Sequence, residues 1–460
     1  VSNYKKDRQN RCSILDTGYS KLETSIENRA ARIEKGLVLL AVLWLVVVLM
    51  VIVAVLGRKA RLDSKVCLSR MEGVRCKWAG RAGIEKAIGI LNEDTRESDG
   101  LIDLWSDNDT DLNDIMLEGC YFSVIVFDEA SKLNINTATK EQLMWLPNMV
   151  EDIADAIIDW RDSDDTPSGT GVEGGYYENL SFRYMVRNGP FKTIRELLLV
   201  KGVTEELFYG EDTNFNGQLD YNERDKDESP PADDGDDVLD RGWVEYLTCY
   251  SYDNNKDATG STRVNVNSAN QNELESALGI SRGQARWIVD NRRSRNYQSI
   301  GDLISDSSPK EPSGASADPN AAQPIDMQTF DRIADMITVS SGQRVDGKVN
   351  INTASDVVLT ALLGGDDVAE RIADDIVNYR DSLSTGMTSI ADVMQVGSVN
   401  LEAFKRIANN ITTRSDVFTI HCVATADRNG SNGAVLQTEV VVDRSPMPCE
   451  ILYWYEGVSN

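Results

Sequence analysis

Histidine is almost absent from this chain of 460 residues, with His421 the only one. With it goes the usual equipment for acid–base work near neutral pH. No Cys-x-x-Cys pair or Cys/His cluster occurs, which argues against a zinc or redox site. There is also no phosphate-binding loop and no recognisable nucleophile motif. His421 lies in a strand-like stretch, where a structural role outweighs a catalytic one, so the residues make no case for an enzyme. Basic residues are scarce as well, 47 Lys and Arg against 74 Asp and Glu. A net charge of −27 is the wrong sign for gripping a phosphate backbone. Methionine is missing before Met50, so the expectation is an incomplete start or an unusual start codon.

One long stretch lacks charge altogether. Leu37 to Leu56 reads LVLLAVLWLVVVLMVIVAVL, 20 residues with no polar face. At ~1.5 Å rise per residue such a helix spans a hydrocarbon core of about 30 Å. Residues 1–35 hold 8 Lys/Arg against 5 Asp/Glu, whereas the 403 residues after Gly57 hold 39 against 69. That imbalance places the short basic segment in the cytoplasm, although Arg58, Lys59 and Arg61 flank the far side. Cys67, Cys76, Cys120, Cys249, Cys422 and Cys449 lie beyond the membrane, an even number that permits up to three disulfides; Cys12 stays reduced.

After the apolar stretch, residues 58–94 are rich in helix formers and lack proline, so one helix is expected to continue from the membrane into water. Strand-like segments occur at 120–129, 243–252, 417–426, 434–443 and 449–457, each dense in β-branched and aromatic residues. Between them runs an internal repeat. KLNINTATKEQL begins at Lys132, RVNVNSANQNEL at Arg263 and KVNINTASDVVL at Lys348. Each copy continues with a short helix, a tight turn and a second helix ending in Arg161, Arg292 or Arg380. The unit is a small helical hairpin used three times, with Asn, Ser and Thr supplying N-caps.

A strongly acidic stretch, 211–240, separates the first two units, and a Pro/Ser/Ala-rich linker, 307–324, separates the second and third. The acidic stretch holds DTNFNGQLDYNE, which fits a 12-residue calcium loop. Asp212, Asn214, Asn216, Asp220 and Glu223 offer side-chain oxygens, Gln218 offers a backbone carbonyl, and Gly217 makes the sharp turn. The converging oxygens suit a hard cation, so Ca2+ is the expected cofactor. Asp233, Asp236 and Asp240 form a candidate second, partial site without a full loop pattern. Hairpin units also bind DNA backbones through amide-rich turns. Here the turns at 146–152 and 363–368 carry acids, and only the second unit, with Arg282, Arg286, Arg292 and Arg293, is locally basic.

Taken in order, the apolar stretch after Lys35-Gly36, the RAGIEKAIGILNED segment, the NINTA-type units and the terminal FTI, VVV and LYWYEG strands resemble the minor pseudopilin K family of type II secretion systems. The resemblance covers nearly all of the chain after Arg32. It implies a type IV pilin-like start, cut by a prepilin peptidase between Gly36 and Leu37. Mature position five, usually Glu in such subunits, would be Ala41. A carboxylate in hydrocarbon costs ~2.5 kcal/mol or more, so it is kept only where it meets a partner. A subunit with nothing above it has no such partner.

The expected fold is therefore α+β: a membrane helix continuing into a pilin-like α/antiparallel-β domain, with an inserted lobe of helix-hairpin-helix (SAM-like) repeats. The expected boundaries are a leader at 1–36, a membrane helix at 37–56 and an amphipathic helix with first strand at 57–130. Hairpin unit one with the calcium insertion follows at 131–242, a strand segment at 243–262, units two and three at 263–345 and 346–415, and terminal strands at 416–460. By resemblance the protein caps the periplasmic pseudopilus and limits its growth, held in the inner membrane by a single helix. Its implied partners are minor pseudopilins I and J, the peptidase and exported proteins. The alternative is a membrane-tethered DNA receptor built from the same hairpin units.

Overall fold

The computed structural model describes residues 2–212, 219–226, 229, 231, 233, 235–304, 321–427 and 432–458; side chains are described from Val38 on, those of Asn432 and Val458 excepted. It divides into two compact units, one ending at Val74 and the other beginning at Arg75.

The first unit is entirely helical. Helix α1 covers Ser2–Glu93 and so contributes to both units. From Val38 to Leu56 nearly every apolar side chain is exposed, all round the helix. Water would penalise that arrangement and lipid would not. Among the described residues this is the one helix long and apolar enough to cross a membrane.

The second unit contains an antiparallel sheet of five strands: β1 (Ile115–Leu117), β2 (Cys120–Asp128), β3 (Val417–Asp427), β4 (Asn432–Asp443) and β5 (Glu450–Val458), in that spatial order. Side chains alternate across it as the pleat requires. In β2, Cys120, Phe122, Val124 and Val126 are buried on one face, while Tyr121 and Ile125 are exposed on the other. The last turns of α1 cover the buried face, placing Cys76, Ala79, Ile84, Ala87 and Leu91 against Phe122, Ile420, Cys422 and Val440. Gly83 makes that approach possible, because a Cβ there would lie 2.8 Å from both Cys422 Sγ and Phe122 Cδ2. Cys76 and Cys120 meet between helix and sheet at an Sγ–Sγ distance of 3.8 Å.

Neighbours in the sheet, β2 and β3 are far apart in sequence. Everything between Asp128 and Val417 is an insertion at one end of that strand pair, where Phe418 lies opposite Asp128. Three helix pairs within it follow the three sequence repeats: α2 (Lys140–Leu143) with α3 (Glu151–Arg161), α4 (Gln271–Leu278) with α5 (Arg282–Arg292), and α6 (Asp356–Leu363) with α7 (Asp367–Ser382).

The repeated Asn-x-Asn explains why these segments fold alike. Each first Asn is the second residue of a two-residue parallel pairing that closes its unit: Leu133–Asn134 with Leu247–Thr248, Val264–Asn265 with Ile337–Thr338, and Val349–Asn350 with Ile411–Thr412. Each second Asn uses both ends of its carboxamide on one distant backbone residue. Asn136 accepts from Phe191 N at 2.7 Å and donates to Phe191 O at 3.0 Å. Asn267 does the same with Tyr297 at 2.9 and 3.0 Å, and Asn352 with Met387 at 2.8 and 2.9 Å. The Arg in the last turn of each second helix returns to the same loop: Arg161 donates to Ile135 O and Ala138 O, Arg292 to Val266 O, and Arg380 to Ile351 O and Ala354 O.

Segment 243–252, expected as a strand, forms only two-residue pairings outside the main sheet. Its apolar residues serve the lobe instead. Trp243 and Leu247 are buried in the helical core, and Trp243 Nε1 donates to Pro147 O at 2.7 Å. Density in β-branched and aromatic residues there reflects burial, which helices and strands share.

Two glycines of α1 give opposing expectations. At Gly89 an added Cβ would meet nothing within 4 Å, so Gly89→Ala should stabilise by up to about 1 kcal/mol through helix propensity. Gly83→Ala should instead destabilise by about 1–3 kcal/mol, because overpacking outweighs that gain. Denaturant unfolding of the two variants checks this; the same sign for both would contradict the packing described.

Candidate functional site

Acidic side chains dominate the candidate sites, and their surroundings sort them. In the calcium-type loop, Asn214, Asn216 and Gln218 lie outside the described residues, leaving Asp212, Asp220 and Glu223. Asp220 caps the short 3-10 turn Tyr221–Glu223, and Glu223 Oε2 accepts from Asp220 N at 2.8 Å. Glu223 is only 1% exposed, and its Oε1 has no hydrogen-bond partner. Burial raises its carboxyl above the usual range, a hydrogen bond from the Asp220 amide opposes this, and the charges of Asp220, Asp212 and Glu211 raise it further.

Asp233 and Asp236 are engaged in local turns. Asp233 accepts from Lys226 N at 2.7 Å and from Gly235 N, and Asp236 accepts from Val238 N at 2.7 Å. The backbone of Asp240 exchanges hydrogen bonds with Glu211, N to Oε2 at 2.9 Å and O from N at 2.9 Å. These three residues therefore shape the acidic stretch locally.

Among the described residues, two groups of three carboxylates bring ligand oxygens within 4.8 Å of one another. The first is Asp94, Asp99 and Asp103, and it already contains a cation. Arg444 Nη1 lies 3.0 Å from Asp94 and Nη2 lies 2.5 Å from Asp99. Asp99 also accepts from Ser415 N at 2.8 Å, and Asp103 from Gly100 N at 2.7 Å. This is a buried ion pair with its hydrogen bonds satisfied.

The second group is Asp159, Asp162 and Glu173, which spacing along the sequence does not single out. Helix α3 presents Asp155 and Asp159 one turn apart, and the loop 162–173 returns across them. Asp155 is satisfied by Lys140 Nζ at 2.6 Å and by Thr170 N at 2.9 Å. Asp159 accepts from Ser168 N at 2.8 Å through Oδ1 alone. Its Oδ2 and both Glu173 carboxylate oxygens have no hydrogen-bond partner. Burial, reinforced by the charges of Asp159, Asp162, Asp165 and Asp164, pushes the Glu173 carboxyl up to about 7. A legible signal was present in DWRDSDDTPSGTGVE, but the acids are spaced unlike any continuous calcium loop.

The remaining sequence candidates are placed as follows. Gly36 and Leu37 lie within α1, where side chains are not described, and Ala41 is exposed on its apolar stretch. His421 sits in β3 with its ring edge-on to Phe127 at 5.2 Å, and burial lowers its pKa to about 4. In the basic second unit, Arg292 is spent on Val266 O, while Arg286 and Arg293 both pair with Asp290, at 3.5 and 3.0 Å. Arg282, at the start of that helix, is exposed.

Comparison with known proteins gives three findings. Two models of the family described as type II secretion system (T2SS), protein K match the chain, at residues 131–209 and 349–414. Endonuclease/exonuclease/phosphatase family domain-containing protein 1 of mouse and of human is 29% and 28% identical over 186 residues, 40% of this chain and 26% of those proteins. The chain thus spans about a quarter of the length of the curated relatives it matches. Among solved structures, the GspK-GspI-GspJ complex from the enterotoxigenic Escherichia coli type 2 secretion system aligns with a TM-score of 0.45 and 13% identity, covering 85% of this chain and 99% of that one. The two family matches occur in chain order, the first holding Asp159, Asp162 and Glu173 and the second Asn350, Asn352 and Arg380. Two separate stretches of the chain, residues 131–209 and 349–414, are thus similar to the type II secretion system protein K family.

Proposed function

We propose that this protein is a minor pseudopilin that caps the pseudopilus tip, held until assembly by one inner-membrane helix with the second unit in the periplasm. The observation that carries the reading is the insertion. A whole helical lobe, containing both family matches, is built between two neighbouring strands of a sheet on which α1 packs. A subunit stacks into a filament by its helix, and a lobe of this bulk blocks the addition of another subunit above it. Ala41 in place of an acid fits a subunit with no neighbour's amine to meet. Cleavage between Gly36 and Leu37 by a prepilin peptidase belongs to the same reading. So do contacts with I-like and J-like minor pseudopilins and with exported proteins, and the assignment of the three repeats to the helix-hairpin-helix, SAM-like class. The role is structural, with no reaction to catalyse.

The residues described in the Asp212 loop suit Ca2+. A buried Glu223 with an unpartnered oxygen, among the charges of Asp220, Asp212 and Glu211, is costly unless a cation meets it. Asp212, Asp220 and Glu223 would hold the ion with Asn214, Asn216 and Gln218, clipping the acidic insertion together. The partial set Asp233, Asp236 and Asp240 is retained only as a wider acidic surround for that clip.

The decisive experiment is co-purification of the full chain in detergent with I-like and J-like minor pseudopilins from the same source. A ternary complex is the expected result. Well-folded partners that stay apart would overturn the tip reading, and a salt-dependent shift of duplex DNA would then favour the DNA-receptor alternative. For the clip, Glu223→Gln should abolish part of the rise in Tm that Ca2+ produces, while leaving Tm in chelator unchanged or higher. An undiminished Ca2+ response in this variant would remove the assignment.

A further inference from the structure

Two thiols face each other between α1 and the sheet, and we propose that Cys76 and Cys120 form a disulfide tying the helix to β2 once the chain meets an oxidising compartment. By count alone the six cysteines after the apolar stretch permit several pairings. The fold selects one. Cys76 Sγ and Cys120 Sγ lie 3.8 Å apart, in contact but unbonded, and both residues are fully buried. A disulfide holds its sulfurs at about 2.0 Å, so a modest approach of the two side chains closes the gap. The inference rests on the periplasmic placement of the second unit for its oxidant, and on geometry alone for its choice of partners.

The other cysteines are placed differently. Cys422 lies opposite Val124, four residues along β2 from Cys120, which is about 13 Å at the rise of a strand. Cys449 Sγ donates to Asn92 Oδ1 at 3.1 Å, and Asn92 stands sixteen residues along α1 from Cys76, about 24 Å. Cys67 is exposed nine residues before Cys76 on the same helix, and Cys249 packs against the core of the lobe. Bridged cysteines need Cα atoms within about 7 Å of each other. Position therefore separates six residues that composition treats alike.

Both sulfurs sit on well-held backbone. Cys120 leaves a tight hairpin turn in which Glu118 and Gly119 have φ of +46° and +83°, and it pairs with Leu117 on β1 and Ala426 on β3. Cys76 is the first residue of α1 in the apolar core of the second unit, and its Sγ donates to Ala434 O at 3.2 Å. The polar links at this end of the helix are slight. Lys77 pairs with Glu456 at 2.7 Å on the surface, and Arg81 lies over the Trp454 ring at 5.8 Å. Exposed pairs of this kind contribute little. A covalent bond would be the firmest tie between helix and sheet here, and by closing the chain from 76 to 120 it would also restrict the unfolded state.

Closure is a two-electron oxidation by thiol–disulfide exchange. One protein thiol loses its proton and attacks a sulfur of an external disulfide, carried by oxidised glutathione or by a thiol oxidase, and expels one thiolate. The second protein thiolate then displaces the remaining sulfur of the oxidant from the mixed disulfide. Two protein thiols become one S–S bond, and the oxidant's disulfide becomes two thiols that take up the protons. Since both sulfurs are buried in the folded chain, the exchange belongs to the stage before α1 settles on the sheet. Once made, the bond is shielded by the same packing from reductants outside.

To test this, the full chain in detergent would be reduced and denatured, then refolded in a mixture of reduced and oxidised glutathione. Remaining thiols would be alkylated and the digest read by mass spectrometry. The expected product is a peptide pair joined through Cys76 and Cys120, lighter by the two hydrogens lost. Cys76→Ala and Cys120→Ala should each lack it. Reductant should lower the Tm of the refolded chain by a few degrees and leave the Tm of both variants where it is. A folded chain in which Cys76 and Cys120 are both alkylated would overturn the proposal, as would either of them joined to a different cysteine. Should both variants fail to fold, the linked peptide in the unaltered chain, and its loss in reductant, decide the matter alone. Alkylation in intact cells separates pairing from location: a bond that forms on refolding but is missing in cells supports the pair and counts against a periplasmic second unit.

Discussion

A side-chain amide that bonds both the N–H and the C=O of one distant residue is the constraint on which the lobe depends. Asn136, Asn267 and Asn352 each make this two-point bond, to Phe191, Tyr297 and Met387. A carboxamide is the one uncharged side-chain group that presents donor and acceptor side by side, so it can replace a strand partner where no strand exists. Without it, two backbone groups would be buried unsatisfied at each site, at a general cost of about 1–3 kcal/mol apiece. The arginines at 161, 292 and 380 extend the same logic to the carbonyls of the Asn-bearing loop. The hydrophobic core then fills a frame already fixed by hydrogen bonds.

The third copy of this frame is also the joint between lobe and sheet. Asn350, where its equivalents donate only to a backbone carbonyl, additionally reaches Asp128 Oδ2 at 3.0 Å, at the end of β2. Thr353 and Ser415 donate to the same oxygen at 2.5 and 2.6 Å. Close by, Arg444 at the end of β4 joins Asp94 at the end of α1 and Asp99 beyond it. One buried carboxylate and one buried guanidinium thus gather helix, sheet and lobe at a single place. Removing Arg444 would leave Asp94 and Asp99 without their cation, which is far costlier than losing an exposed ion pair.

Much of this was legible because the information is contiguous. The Asn-x-Asn-Thr/Ser word, the apolar stretch and the long alternating strands at 120–128, 417–427 and 432–443 can all be read within a few residues of themselves. What escaped reading is what depends on distant partners. The unit-closing strands Leu247–Thr248, Ile337–Thr338 and Ile411–Thr412 are two residues long and carry no periodicity. Trp243 and Leu247 looked like sheet residues because burial selects the same side chains in either setting. For the acids the same rule holds in reverse: Asp212 to Glu223 match a continuous loop pattern, whereas Asp159, Asp162 and Glu173 converge only after a turn of helix and a returning loop. Spacing identifies a cation loop that is one segment; convergence across a fold needs the fold.

Entry and exit of the lobe at one end of adjacent strands also sets how the molecule bears load. Since β2 leaves the sheet beside the point where β3 re-enters it, a pull on the lobe along the strand axis draws both strands from the same end. The ladder joining β3 to β4, which runs from Val417 opposite Asp443 to Asp427 opposite Asn432, is then loaded in shear, with its hydrogen bonds strained together and not peeled in turn. In mechanical terms the sheet behaves as a lap joint and the lobe as the plate fastened to it.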